Sequence, residues 1–179
     1  MKKAKPERFE SHNPAHTILN LTPVASNLLA LFMAEGPIHK LISKRHYPGI
    51  LSEYPEYREQ QIIKLLIEIA TSYRLTSWQL KGKKKERERK NEVGLLFIGD
   101  DDKEHSLNMH EACNKIIHDE EIVFETKKIR KAPFRYIREQ IQAFGTKQGE
   151  EWNVVLWIPE FCEAAINMPL LDDPFEEED

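Results

Sequence analysis

Apolar residues recur three and four positions apart across residues 55–75, at Ile62, Leu65, Leu66, Ile69, Ala70 and Tyr73. That period predicts an α-helix burying one broad face. Pro55 suits its first turn, Glu59, Lys64 and Glu68 take the other face, and the pattern extends through Trp78 towards Leu80. Upstream, Thr22-Pro23 reads as a cap with proline at the first helical position, followed by Leu28, Leu29, Leu31 and Phe32. Gly36-Pro37 is expected to stop that helix, and Pro37 to open a short second one through Ile38, Leu41 and Ile42. His46-Tyr47-Pro48-Gly49 reads as a turn.

Beyond residue 92 the period changes. Val93–Ile98 is an unbroken apolar run bounded by Glu92 and Gly99-Asp100-Asp101-Asp102, either a buried strand or a short helical piece. A helix capped by Ser106 or Asn108 follows to about His118, with Met109, Ala112, Cys113, Ile116 and Ile117 inward. Ile122–Ile129 alternates as a strand does. Phe134–Phe144 and Trp152–Ile158 read as a hairpin around a five-residue loop with glycine at both ends, Gly145 and Gly149. Pro159 opens a last helix through Phe161, Cys162, Ala165 and Ile166. The class is therefore α+β: a helical N-terminal half, a small antiparallel sheet of one strand plus a hairpin, and a short C-terminal helix. Residues 1–16 are polar, with Pro6 and Pro14, and read as a flexible arm. Residues 17–171 form a single domain with a charged loop at 81–92, and 172–179 an acidic tail.

With 26 Lys+Arg against 30 Asp+Glu, the 179-residue chain has a formal charge of -4, which argues against a whole-surface electrostatic grip on nucleic acid. An apolar share of 40% lies well above a disordered composition. No apolar run approaches a membrane span, and the N-terminal residues carry no apolar leader core. No membrane association is expected. Cys113 and Cys162 fall in apolar-patterned segments, as buried thiols of a reducing cytoplasm would. GxGxxG, Walker, CxxC, HExxH and GxSxG patterns are all lacking, so no cofactor is expected.

Four candidate sites remain. Residues 81–92, KGKKKERERKNE, hold seven basic and three acidic side chains and no apolar one. Lys83, Lys84, Lys85, Arg87, Arg89 and Lys90 could bind phosphates, or the segment could be a solvated loop. In the helix ending near His118, the residues His110, Asn114 and His118 are four apart and share a face. The outer two lie about 12 Å apart along the axis, too far to share a metal. Asn114 and His118, one turn apart, could hold a phosphate or ribose hydroxyl, with His118 as general acid or base. Asn114-Lys-Ile-Ile-His118 resembles the end of the RNxxxH form of the HEPN motif. HEPN domains are small and helical, and many are metal-independent RNases or toxin components. The resemblance implies that His118 transfers protons and that the preceding position stabilises the scissile phosphate. That position is Cys113 here, which supplies no charged fork.

Third, Asp100-Asp101-Asp102 followed by Glu125-Thr-Lys127 resembles the PD-(D/E)xK nuclease pattern. It implies a divalent metal held by Asp101 and Glu125, and a water positioned by Lys127. Last, Tyr136, Phe144, Trp152 and Trp157 lie in the hairpin. Five residues apart, the two tryptophans fall on opposite faces of a regular strand, one in the core and the other free for a protein partner. The expected role is HEPN-like RNA or nucleotide handling, in a toxin or defence setting as the resemblance implies, and as a binder rather than a catalyst. The alternatives are a metal-dependent nuclease and a protein-interaction subunit or antidote. A homodimer is compatible with each.

Overall fold

The helical half is built by two long amphipathic helices. A computed structural model describes residues 20–45, 48–79, 91–99, 101–128 and 135–167. Helix α1 runs over Thr22–Arg45 and α2 over Pro48–Gln79. Ala25, Leu28 and Phe32 bury one stripe of α1, extended by Leu21 just before it, and Ile62, Leu66, Ile69, Ala70 and Tyr73 bury one stripe of α2.

Both helices pass through prolines where sequence reasoning set boundaries. Gly36-Pro37 does not stop α1, and α2 begins at Pro48 rather than near Pro55. A proline removes the hydrogen bond to the carbonyl four residues back. For Pro37 that carbonyl belongs to Met33, a residue 72% exposed on the solvent side of α1. Burial continues on the opposite face through Glu35 and His39, across the proline.

Five strands follow: β1 Glu92–Ile98, β2 Asp101–Asn108, β3 Glu121–Lys128, β4 Arg135–Lys147 and β5 Glu150–Trp157. Helix α3, Met109–Ile117, lies between β2 and β3, and α4, Ile158–Asn167, closes the described chain. The sheet is antiparallel throughout, in the order β2-β1-β5-β4-β3. Thus α3 carries the chain from one sheet edge to the other. Its N-cap is Asn108, whose side chain accepts from the Glu111 N–H at 2.9 Å.

Strand β2 takes up Asp101, Asp102 and Ser106, which the sequence pattern assigned to no strand. It is an edge strand of mostly polar residues, with Leu107 its one fully buried apolar side chain. Charged edges of this kind discourage pairing with other chains. The hairpin loop is also tighter than the spacing implied: Lys147 pairs with Glu150 and Thr146 with Glu151. Gln148 and Gly149 alone make the turn, both with positive φ (56° and 84°), as a two-residue type I′ turn requires.

Leu96, Val154, Ala143 and Ile122 form a register row across four strands on the sheet face that meets the core. Helices α1, α3 and α4 pack on the sheet, and α2 packs on α1 and α3 as an outer layer. Among the described residues no helix is long and apolar enough to cross a membrane. Both cysteines are buried and outside any disulfide, and burial pushes the Cys162 thiol up to about 12.

Candidate functional site

Helix α3 turns Met109, Ala112, Cys113 and Ile116 into the core, which leaves Asn114 half-buried towards α2 and His110 and His118 exposed. There α2 brings an arginine to Asn114. Arg74 Nη1 donates to Asn114 Oδ1, placing a guanidinium beside the amide. His118 ends α3 one turn further on, and its backbone N–H donates to the carbonyls of Asn114 at 3.2 Å and Lys115 at 3.3 Å. Ser77 Oγ donates to the Arg74 carbonyl at 3.1 Å. The side chains drawn together are thus Arg74 and Asn114, with His118 on the same face of α3. No signal near Asn114 marks Arg74, which is 40 residues upstream and meets it only through the packing of α2 on α3.

Cys113, at the motif's arginine position, is fully buried. Lys115 does not substitute for it: its side chain is buried, with Nζ 4.2 Å from the centre of the Trp152 ring. Burial lowers the pKa of that ammonium, against the pull of Glu111. Burial also raises the Asp119 carboxyl, just past His118.

Asp101 and Glu125 are not brought together. Asp101 opens β2 and Glu125 lies in β3, and these are the opposite edges of the sheet. Four strand spacings separate them, roughly 19 Å, where two ligands of one metal must lie within about 5 Å of each other. Glu125 stands at a register shift in β3, and its carboxylate is already engaged. Oε2 accepts from Gln140 Nε2 at 2.7 Å and Arg138 Nη1 at 2.9 Å, and Oε1 accepts from Gln142 Nε2 at 2.8 Å. The Gln140 and Gln142 bonds hold this carboxyl below the usual range, with Arg138 adding to them. Lys127 is exposed. Among the described residues no cluster of three His, Cys, Asp or Glu is placed to hold a metal.

The tryptophans split as their spacing predicts. Trp152 is buried, whereas Trp157 is half-buried on the other face of β5 with Val155. On that face Leu95, Val155, Gln142 and Val123 form a row across four strands, and Phe97, Asn153 and Phe144 the next row. The basic strip with Lys83, Lys84, Lys85, Arg87, Arg89 and Lys90 lies outside the described residues, as do the N-terminal arm and the acidic tail.

One charged cluster was missed by sequence reasoning. Glu35 of α1 and Arg58 of α2 form an ion pair with both side chains at most 4% exposed. Glu35 Oε1 also accepts from the Ile137 N–H of β4 at 3.3 Å and lies 3.2 Å from His39 Nε2. The Tyr54 ring meets His39 edge-on at 5.8 Å and lies 5.7 Å from the Arg58 guanidinium. Burial raises the Tyr54 phenol, and Glu35 raises it further. A signal existed: Glu35 and His39 continue the stripe of Leu28 and Phe32. Ending the helix at Gly36-Pro37 hid it.

No family model, no curated protein and no solved structure matches this chain.

Proposed function

We propose that this chain handles RNA or a nucleotide, binding a phosphate-bearing ligand at the Arg74–Asn114 contact between α2 and α3, with His118 one turn further along α3. The observation that carries the reading is the hydrogen bond from Arg74 to Asn114. It returns a guanidinium to a helix whose HEPN-like motif has Cys113 in the arginine position. A planar guanidinium matches phosphate oxygens in pairs. An imidazole one turn away adds a second donor, and an amide can take a ribose hydroxyl.

Binding without cleavage is the form of the proposal. Cys113 is committed to the core and Lys115 to Trp152, so neither offers charge to a developing phosphorane. Two buried cysteines outside any disulfide support a reducing, cytoplasmic setting. A toxin or defence role follows only from the motif resemblance.

Fluorescence anisotropy with a labelled single-stranded RNA of mixed sequence tests the reading. Expected is salt-dependent binding that weakens at least about tenfold in Arg74→Ala and in His118→Ala, roughly 1.4 kcal/mol each. Arg74→Lys should recover only part, because it lacks the fork. Binding indifferent to both alanine variants, or no binding, would sink the proposal. Cleavage that survives EDTA and disappears in His118→Ala would replace the binding module with a metal-independent RNase.

A further inference from the structure

Helix α2 has two faces with separate roles. Arg58, Ile62, Leu66, Ile69, Tyr73 and Thr76 are buried in the interior of the fold. On the opposite side, Ile50, Tyr57, Lys64, Ile67, Thr71 and Leu75 form an exposed stripe, with Glu53 and Gln60 completing an alternating three-and-four spacing up to Thr71. Its apolar members are exposed by 50% at Ile50, 60% at Tyr57, 42% at Ile67 and 62% at Leu75. Single exposed apolar residues need no explanation. Four of them, interleaved with Glu53, Gln60, Lys64 and Thr71 along roughly 38 Å of one helix face, make a seam that a second helix can cover.

The seam also identifies its occupant. Tyr57 and Ile67 stand equally far on either side of Ile62, as do Gln60 and Lys64, and Glu53 and Thr71. Ile50 and Leu75 do so to within one residue. Read backwards, the stripe therefore repeats its own pattern, the property a two-fold contact needs. We propose that α2 pairs antiparallel with α2 of a second copy of this chain. Ile50 then meets the partner's Leu75, and Tyr57 meets the partner's Ile67. Gln60 faces the partner's Lys64, whose ammonium lies one turn from Glu56, and symmetry makes that ion pair twice. A parallel pairing would set Lys64 against the partner's Lys64.

The surface is shaped for this contact. Ile50, Glu53, Tyr54 and Tyr57 border a groove of about 540 Å³ on the early turns of α2. Four residues at this spacing form the hole that accepts a side chain from a facing helix. In the antiparallel register the partner's Thr71 faces its centre and the partner's Leu75 its outer end. None of this depends on the RNA reading.

Sedimentation of the full chain across a micromolar concentration series, without nucleic acid, tests the contact. The mass should pass from 21.0 kDa to twice that value as concentration rises. The double variant Tyr57→Glu/Ile67→Glu should stay monomeric at the highest concentration with an unchanged far-UV spectrum. Lys64→Glu should raise the dimer dissociation constant at least about tenfold, and adding Glu56→Lys should restore it to within a few-fold. A chain that stays monomeric throughout overturns the proposal. So does a dimer that survives Tyr57→Glu/Ile67→Glu, or a Lys64→Glu defect that Glu56→Lys fails to rescue.

Discussion

The indole of Trp152 lies against Gly145, its cross-strand partner in the β4–β5 hairpin. A Cβ at position 145 would stand 2.3 Å from Cζ2 of that ring, and the ring is itself held beneath the ammonium of Lys115. Gly145→Ala should therefore destabilise the fold by about 1–3 kcal/mol through overpacking. Urea denaturation measures it, and a change under about 0.5 kcal/mol would show that the indole has room to move.

The Glu35–Arg58 pair makes a different kind of prediction. Removing one partner strands a buried charge, so Arg58→Met should cost about 3–5 kcal/mol. Removing both together, as Glu35→Leu/Arg58→Met, should recover much of the loss, because the desolvation of two ions disappears with their attraction. A double-mutant cycle in denaturant decides the matter. A double variant no more stable than Arg58→Met would mean that the bond from the Ile137 N–H to Glu35 matters more than the ion pair.

Glu125 sets the acid response of the β3 edge. Gln140, Gln142 and Arg138 stabilise its ionised form, so the folded carboxyl gives up its proton at lower pH than the unfolded one. Its contribution is complete above the unfolded value and fades as pH falls through the folded value. At neutral pH, Glu125→Gln should cost less than about 1 kcal/mol, since Arg138 is half exposed and the pair is screened. The gap between the two proteins should close as the solution is acidified. A gap that stays constant from neutral to acid would assign the cost to geometry rather than charge.

Elements that bury one face could be read from the chain, and those held by distant partners could not. The central stripe of α2, the inner face of α3 and the alternation of β3 all carried their own period. Strand β2 carried none: Asp-Asp-Lys-Glu-His-Ser-Leu-Asn owes its extended form to the hydrogen bonds that β1 offers. Pro37 misled because burial continues on either side of it, through Phe32, Glu35 and His39, and Pro55 because it sits inside α2 rather than at its start. Asn114 and His118 could be placed on one face by counting. Arg74 could not be joined to them, because its contact arises from one helix lying across another. The same holds for Arg58 and Glu35, 23 residues apart along the chain.

The strand order has a consequence for how the molecule comes into being. Strand β5 is the last of the five in the chain, yet it occupies the middle of the sheet, between β1 and β4. Until it arrives, β1–β2 and β3–β4 are two separate hairpins, each with a bare inner edge, and two-stranded pieces are marginal on their own. During synthesis the sheet therefore cannot close piece by piece. Residues far apart along the chain must meet in one late step, which makes for slow folding and a nascent chain exposed to strand-edge association. A ribosome-bound chain stopped with only residues up to Lys147 emerged should be cleaved readily by protease. One exposing residues through Asn167 should resist it, a single last hairpin partner having turned two fragments into one cooperative body.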